Sequence, residues 1–559
     1  MSEKTKALIL HGRGISAGIA IGTAYVVSTD VPIIRDRRSD DRELQLQRYN
    51  EARYAAAREL DVLISSATAR SESDSAQILE IHKLLLDDEE ICEYIERAIA
   101  DTGYTAEYAA QLALTDFSER LANMNDPYMR ARGADVADVL KRLIKCLLSP
   151  DEKEMQGASR GFPHDCIVFA DDLSPSRTAS LDRTRVRAIV TVQGSAVSHT
   201  AIIARSMGIP AVIGVDRGLM ELICNGQSVT VEVNGAEGIV TVCPNEAQLE
   251  AARVRLEKQF ECERLLKSLK GQDNVTRDGR RIDVFCNIGS AAEVSAALEA
   301  DAGGIGLFRS ELLFLESKQA PGEDEQFCVY RDVLTSMGDR PVIIRTLDIG
   351  ADKQVDYLGL EHEENPALGL RASRLCLARP ELLFTQLSAL LRASVYGRLG
   401  IMFPMISSVE ELCRVLDICH KVRESLEAKG VPVNKETSLG IMVETPAAAI
   451  ISDKLSQMVD FFSIGTNDLT QYTLAIDRQN MALEPFLDTH HEAVLRLIEL
   501  TVQNAHKQGI WVGICGELAA DTSLTERFIR MGVDELSVAP SQVLRVRRAV
   551  RESVAMAEG

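Results

Sequence analysis

The sequence predicts a multidomain α/β protein, with an N-terminal α/β domain, an all-α helical subdomain inserted into it, and a C-terminal (β/α)8 barrel. A chain of 559 residues is too long to fold around one hydrophobic core. Residues 40–148 carry apolar side chains at spacings of three and four and contain no strand-like run. From residue 275 to the end, eight strand-like segments are each followed by a helical one, which is typical of a closed barrel.

The N-terminal α/β domain is predicted to comprise residues 1–28 and 150–244. Residues 7–28 are rich in glycine, but no helix follows them, so the pattern favours a strand with tight turns over a nucleotide-binding loop. Four short β-branched runs predict the other strands of this domain: Cys166–Phe169, Ala188–Thr191, Ala211–Ile213 and Val229–Val231.

The inserted subdomain is predicted to span residues 29–149 and to hold four or five helices. Pro127 indicates a break before a last helix, Ala134–Leu148. His82 lies among apolar neighbours, which is typical of a solvated or core histidine rather than a functional one.

Residues 245–272 are predicted to link the domains, because Asn245–Lys270 reads as one charged helix without glycine or proline. The barrel is then expected over residues 273–559. Its eight predicted strands are Ile282–Ile288, Gly304–Phe308, Val342–Ile349, Ile401–Met405, Leu439–Val443, Phe461–Ile464, Trp511–Ile514 and Glu535–Val538.

Composition narrows the class of partner. A net charge of −21 argues against nucleic acid or an anionic membrane and fits a small basic protein, although many soluble enzymes are equally acidic. The twelve cysteines show neither disulfide-framework nor zinc-ligand spacing. Because we find no signal peptide and no apolar run of about 18 residues, we expect a cytoplasmic protein with reduced thiols.

A candidate nucleophile lies in the loop and helix formed by residues 194–208. His199 precedes the predicted helix, where free backbone N–H groups and the positive end of the helix dipole favour a phosphate. The same placement keeps a neutral imidazole nitrogen available near neutral pH. Arg205 follows on that helix, and a purely structural histidine is the alternative.

The most specific stretch runs from Asp460 to Arg478 and contains a short strand that ends in Gly-Thr-Asn-Asp. Parallel barrels carry their chemistry at such strand ends. Asp468 offers a hard oxygen to a divalent cation, Asn467 can donate to a phosphate oxygen, and Arg478 suits a carboxylate or a phosphate. Taken alone, the Asn-Asp pair could instead be a turn that caps a helix.

Other strand ends carry matching residue types. Arg309 follows the second strand, the third strand carries Arg345, and Arg371 lies where the next helix begins. Glu444 ends the fifth strand and Cys515 the seventh. Arginine binds carboxylate and phosphate bidentately, and Glu444 with Asp468 leaves room for Mg²⁺, substrate oxygens and water. A salt bridge to a neighbour such as Glu311 is the alternative for a single arginine, and simple burial is the alternative for Cys515.

Along nearly its whole length the chain resembles the enzyme I family of the bacterial sugar phosphotransferase system, the phosphoenolpyruvate–protein phosphotransferases. The histidine loop comes first, followed in the family's order by Arg-Thr-Leu-Asp-Ile-Gly, Glu-Asn-Pro-Ala-Leu-Gly-Leu-Arg, Met-Phe-Pro-Met-Ile, Val-Glu-Thr-Pro, Ser-Ile-Gly-Thr-Asn-Asp and Cys-Gly-Glu-Leu.

The resemblance implies phosphorylation of His199 by phosphoenolpyruvate, with release of pyruvate, and then transfer to a histidine of the small carrier protein HPr. It implies that Arg205 and Ser174 support the phosphohistidine and that Cys515 protonates the enolate. It also implies a swivelling phosphohistidine domain, HPr docking on the helical subdomain, and a homodimer formed through the barrel. The implied phosphoenolpyruvate ligands are Arg309, Arg345, Arg371, Asn467 and Arg478, with Mg²⁺ held by Glu444 and Asp468.

Two features depart from the family pattern in the histidine loop. Ser195 stands where a second glycine or an alanine is usual, and Val197 stands where a threonine or serine is usual, so one hydroxyl near the phosphoryl group is missing. Ser174 replaces a common threonine and keeps its hydroxyl.

Three alternatives share parts of this pattern. A pyruvate phosphate dikinase or phosphoenolpyruvate synthase would need a nucleotide-grasping domain that residues 1–150 do not suggest. A catalytically silent regulatory relative would be expected to lack some of the strand-end residues. A metal-dependent pyruvate aldolase would have no use for His199.

Overall fold

The structure is a computed structural model that describes most of the chain. The described residues are 7–27, 34, 36–69, 73–122, 127–148, 162–171, 173, 181, 184–193, 200, 201, 204, 208–216, 229–315, 317, 319–351, 355–478 and 480–555. The chain divides into two compact units, Met1–Cys262 and Glu263–Gly559.

The first unit contains a mixed sheet. Its strands are β1 (Leu8–His11), β2 (Arg13–Ser16), β3 (Ile19–Val26), β4 (Cys166–Ala170), β5 (Val186–Thr191), β6 (Ala211–Ile213), β7 (Thr230–Asn234) and β8 (Ile239–Val242). They lie in the order β1-β8-β7-β3-β4-β5-β6-β2. β3 to β6 are parallel, and the remaining pairs are antiparallel. The predicted α/β architecture of this part of the chain is therefore confirmed.

The glycines of the first three strands allow backbones to approach closely. A Cβ atom on Gly14 would lie 2.2 Å from the Gly235 carbonyl oxygen, and one on Gly22 would lie 2.4 Å from the carbonyl oxygen of Asp165. The glycine-rich segment is thus part of the sheet, as its sequence predicts. Glycine is required at these positions because a side chain would clash with the neighbouring backbone.

The structure describes five helices between β3 and β4. They are α1 (Arg42–Ala69), α2 (Ser73–Leu85), α3 (Glu89–Thr102), α4 (Ala106–Ala122) and α5 (Pro127–Leu147). The last one begins at Pro127 rather than at Ala134, because proline is tolerated in the first turn, where its missing N–H has no helical partner. His82 is a core histidine, buried between Asp135 and Asp138 with ring-nitrogen-to-oxygen distances of 3.3 and 3.5 Å.

Helix α6 (Glu246–Lys267) contains the boundary between the two units, inside the predicted linker. None of the described helices is long and apolar enough to cross a membrane.

The second unit is a closed barrel of eight parallel strands, as predicted. Helices lie between the strands, namely α7 (Val294–Glu299), α8 (Glu311–Leu315), α9 (Glu323–Met337), α10 (Ala372–Ala378), α11 (Pro380–Ala393), α12 (Val409–Ala428), α13 (Pro446–Ile450), α14 (Ser452–Leu455), α15 (Thr466–Leu474), α16 (Glu492–Lys507) and α17 (Thr525–Met531), and α18 (Val543–Glu552) follows the last strand. The strands are β9 (Asp283–Ile288), β10 (Ile305–Arg309), β11 (Pro341–Arg345), β12 (Arg398–Phe403), β13 (Ser438–Val443), β14 (Phe461–Ile464), β15 (Trp511–Ile514) and β16 (Glu535–Val538).

Residues alternate between two cores along each barrel strand. Outward-facing side chains such as Phe462 and Val512 join the large core under the helices. Inward-facing ones form a smaller cluster that includes Met442, Phe461 and Cys515. The Phe461 ring stacks on the Trp511 indole at 4.7 Å and closes the lower part of the barrel interior.

Candidate active site

A cavity of about 550 Å³ opens at the carboxyl ends of the barrel strands. Every barrel residue that the sequence singles out lines it, although these residues come from six different segments of the chain. They are Arg309, Arg345, Arg371, Glu444, Asn467, Asp468, Arg478 and Cys515.

Two buried arginines are held in place by carboxylates on the cavity wall. Arg345 ends β11, and its Nη2 lies 2.5 Å from Glu311 Oε1 while its Nη1 lies 2.9 Å from Asp348 Oδ2. Arg371, at the start of α10, places Nη2 3.1 Å from Asp348 Oδ1. Burial disfavours the charged guanidinium of Arg345, but Glu311, Asp348 and Glu444 outweigh it and raise its pKa above the usual value.

These contacts show which strand-end arginine has the salt bridge to Glu311 that the sequence offers as an alternative. Glu311 pairs with Arg345 and not with its chain neighbour Arg309, which is exposed and forms no ion pair among the described residues. Asp348 was not singled out at all. The signal for it was its position three residues after Arg345, in the Arg-Thr-Leu-Asp stretch. Arg309 is therefore the arginine that can turn toward an incoming anion at the smallest cost.

Glu444 and Asp468 carry the negative charge of the cavity. Glu444 follows β13 and is fully buried; its Oε1 accepts a hydrogen bond from the backbone N–H of Met405 at 2.6 Å. Its Oε2 has no hydrogen-bond partner among the described residues. Burial, together with Asp468 and Asp348, raises the pKa of Glu444 well above its usual value. A cation bound between these carboxylates would offset the repulsion between their negative charges.

The α15 N-terminus sets the orientation of Asn467 and Asp468. The Asn467 Oδ1 accepts a hydrogen bond from the Glu517 N–H at 2.9 Å, so its amide NH2 group remains available as a donor. Arg478 Nη2 lies 3.5 Å from Asp468 Oδ1. On the same helix, the Tyr472 hydroxyl donates to the Ala367 carbonyl and ties the neighbouring loop to α15.

Cys515 lies just beyond β15 with its thiol in the barrel interior. It is buried, and its Sγ is 3.7 Å from the Ile464 carbonyl oxygen. Burial raises the pKa of the thiol to about 12, with Glu535 and Glu444 adding to the effect. The group is therefore a neutral thiol at neutral pH, which can donate a proton but is a poor nucleophile.

Three predicted residues lie outside the described part of the chain. They are His199, Arg205 and Ser174. The described neighbour Thr200 is buried, and its hydroxyl donates to the Leu173 carbonyl at 3.1 Å.

Family models match three successive stretches of the chain. They are the N-terminal, mobile and phosphoenolpyruvate-binding domains of PEP-utilising enzymes, at residues 11–132, 162–238 and 263–555. Barrel, cavity and family models together define the class: the protein is a PEP-utilising enzyme.

Curated relatives narrow the class to one family. Phosphoenolpyruvate-protein phosphotransferases of Bacillus sp. (strain S) and Geobacillus stearothermophilus are each 39% identical over 555 residues, covering 99% of this chain and 94% of theirs. That of Priestia megaterium is 38% identical over 543 residues, covering 97% and 94%. The chain belongs to the phosphoenolpyruvate–protein phosphotransferase family, which confirms the resemblance.

Proposed function

We propose that the protein phosphorylates itself on His199 with phosphoenolpyruvate, releases pyruvate, and passes the phosphoryl group to a histidine of the carrier protein HPr. The observation that carries the proposal is the single cavity in which arginines, two acidic side chains and a buried thiol meet. A phosphorylated enol acid needs these groups: cations for its two anionic ends, and an acid for the carbon that becomes a methyl group.

In this proposal the cations bind the two ends of the substrate. Arg309, Arg345, Arg371 and Arg478 neutralise the phosphate and carboxylate, and Asn467 donates its amide hydrogens. Arg345 and Arg371 are already oriented by Asp348, so substrate binding costs them little side-chain entropy. Arg205 and Ser174 would support the phosphorylated histidine.

The donor set in the cavity fits Mg²⁺. Glu444 is buried with one oxygen free of hydrogen bonds among the described residues. Asp468 is the charged group with the largest effect on the pKa of Glu444. The described chain offers no cluster of three or more His, Cys, Asp or Glu suited to a metal. Two protein ligands, completed by substrate oxygens and water, are the usual arrangement for this ion. When bound, Mg²⁺ would neutralise charge on the phosphoryl and enolate oxygens.

The steps that the chain's own residues perform are three. The His199 nitrogen attacks phosphorus as the bond from phosphorus to the enol oxygen breaks, and the arginines stabilise the charge that develops on oxygen. Cys515 then donates its S–H proton to the enolate carbon, which gives pyruvate. The phosphorylated imidazole finally transfers its phosphoryl group to HPr.

The proposal assigns residues 1–28 and 150–244 to the phosphohistidine domain, 29–149 to HPr docking, 245–272 to a hinge, and 273–559 to phosphoenolpyruvate binding. Swivelling about the hinge would let one imidazole serve both partners. On the helical subdomain, Leu84 and Val62 are about 70% exposed, and the ion pair between Lys83 and Asp61 joins their helices at 2.6 Å. Such an apolar patch among acidic residues suits a small basic protein. We further propose a cytoplasmic homodimer joined through the barrel.

Labelled phosphoenolpyruvate tests this function in the absence of any nucleotide. The wild-type chain should become labelled with Mg²⁺ present and lose the label on chelation. The variant His199→Ala should stay unlabelled, whereas His164→Ala, at an exposed histidine of the same unit, should label normally. Label retained by His199→Ala would place the nucleophile elsewhere, and a requirement for ATP would favour a dikinase.

A further inference from the structure

A buried carboxyl group inside the barrel has no role in the proposed steps. Glu535, the first residue of β16, is 2% exposed. Neither of its carboxyl oxygens forms a hydrogen bond of normal geometry among the described residues, and no described cation pairs with it; the nearby Ser537 hydroxyl only partly offsets the effect of burial on its pKa. A group of this kind is costly to fold, so its position calls for a functional reason.

Two glycines make room for this carboxyl group. Glu535 is in register with Gly513 on β15, and a Cβ on Gly513 would lie 1.8 Å from Glu535 Oε2. A Cβ on Gly306 would lie 2.3 Å from Oε1. Gly513 precedes Cys515 by two residues on the inner face of the same strand, so the acid lies about 7 Å below the thiol.

A second hydroxyl, that of Ser463, lies beside the Cys515 thiol. Ser463 is in register with Gly513 on the neighbouring strand β14 and faces the barrel interior, like Phe461. Its Oγ is buried and forms no hydrogen bond of normal geometry among the described residues, but it lies near enough to the Cys515 thiol to lower that thiol's pKa. The Ser537 hydroxyl also faces the acid, but it donates its proton to Asn287 Oδ1 at 2.6 Å.

The opposite end of the barrel offers a route to water. Asp283 begins β9 and is in register with Glu535. Its side chain is 47% exposed and lies within electrostatic reach of Glu535, so it is a polar group open to solvent beside the buried acid. Asp283, Glu535, Ser463 and Cys515 thus place polar groups along the barrel interior, from the amino ends of the strands to the carboxyl ends.

The proposed reaction leaves a chemical task for which these polar groups are suited. Once Cys515 has donated its proton, a thiolate remains in an apolar site beneath the substrate, and the next turnover needs a thiol. We propose that Glu535 returns a proton to Cys515 through the Ser463 hydroxyl after each turnover, an inference that rests on the proposed function. Glu535 and Ser463 are thus positioning residues that act through Cys515 and do not touch the substrate.

The proton balance closes without any further reactant. The Cys515 thiolate takes the Ser463 hydroxyl proton as that oxygen takes the proton of the Glu535 carboxylic acid. The resulting carboxylate is reprotonated from solvent by way of Asp283. Burial, reinforced by Asp283, raises the pKa of Glu535 well above its usual value, which favours the protonated acid at the start of each cycle.

Isotope exchange between phosphoenolpyruvate and ¹³C-pyruvate in D₂O, with Mg²⁺ and no acceptor protein, isolates this step. Carbon exchange needs no outside proton, because Cys515 takes one from pyruvate and returns it. Deuterium enters the methyl carbon only if the thiol exchanges with solvent. The measured quantity is the number of deuterium atoms gained per carbon exchange.

We expect Glu535→Gln and Ser463→Ala to lower that ratio by roughly a hundredfold, the low end of what a positioned proton-transfer group contributes, with carbon exchange nearly unchanged. Thr525→Val, at a buried hydroxyl outside the barrel interior, should change neither quantity. An unchanged ratio with intact carbon exchange in Ser463→Ala or Glu535→Gln overturns the relay. If Glu535→Gln fails to fold, Ser463→Ala decides alone. Absence of carbon exchange in the wild type would instead refute the proposed function.

Discussion

Replacing Arg345 by methionine should weaken both the barrel and the reaction. The guanidinium is buried between Glu311 and Asp348, at 2.5 and 2.9 Å. Methionine has a similar length but no charge, so the substitution removes one cationic partner from each of two buried carboxylates while it leaves little empty space.

The expected loss follows from the partners that remain. Removing one member of a buried ion pair costs about 3–5 kcal/mol. Asp348 keeps Arg371 at 3.1 Å, so the loss should lie near the lower figure. With a urea dependence of about 3 kcal/mol per molar, the unfolding midpoint should fall by about 1 M.

The single tryptophan allows the unfolding midpoint of the barrel to be measured separately from that of the first unit. Trp511 lies in the barrel interior against Phe461, so its fluorescence reports unfolding of the second unit without a signal from the first. Phosphoenolpyruvate-dependent labelling of the same samples measures activity.

A matched variant separates stability from substrate binding. Arg309 is exposed and has no ion pair among the described residues, so Arg309→Met should lose labelling and keep the wild-type midpoint. Adding Glu311→Leu to Arg345→Met should recover part of the stability but none of the activity. Equal urea midpoints for Arg345→Met and wild type would refute the reasoning, as would an equal shift in Arg309→Met.

Three further predictions follow from the same geometry. Cys515→Ala should still form phosphoprotein but release enolpyruvate, detected as pyruvate that gains its methyl proton slowly in solution; normal pyruvate formation would remove the thiol from the mechanism. The folded-state pKa of Glu535 is raised above its ordinary 4.5, so the stability contributed by the protonated acid is present at low pH and lost as the pH rises through the raised value. Glu535→Gln should therefore flatten the decline of stability with pH, measured by Trp511 fluorescence during unfolding. An identical pH dependence of stability in wild type and variant would contradict this prediction. Leu84→Asp should slow phosphoryl transfer to HPr about tenfold without affecting self-labelling, as expected for the loss of an apolar anchor. Leu298→Asp, at an exposed leucine of the barrel, should affect neither rate. Equal transfer rates for Leu84→Asp and wild type would show that HPr docks on another surface.

The barrel and its cavity could be predicted because strand patterns and strand-end residues are local features. Arg345, Glu444 and Cys515 each end a short apolar run, and parallel strands bring such ends to one rim. The start of α5 differs from the prediction because Pro127, which indicates a break in the sequence pattern, also suits the first turn of a helix.

The partners of these residues could not be predicted in the same way. Glu311 is next but one to Arg309 in sequence, yet it pairs with Arg345, because adjacent barrel strands bring the two together. Glu535 looks like an ordinary polar residue at the start of a strand; only the register with Gly513 and the space at Gly306 reveal that it points inward. The roles of His199, Arg205 and Ser174 remain predictions from the sequence.

The most direct test of the central claim is to identify the phosphorylated residue by peptide mapping under alkaline conditions, which preserve phosphohistidine. Protein incubated with phosphoenolpyruvate and Mg²⁺ should carry one phosphoryl group, on the peptide that contains His199, and should lose it to HPr on mixing. A phosphoryl group on any other residue, or a protein that consumes phosphoenolpyruvate without becoming phosphorylated, would contradict the account.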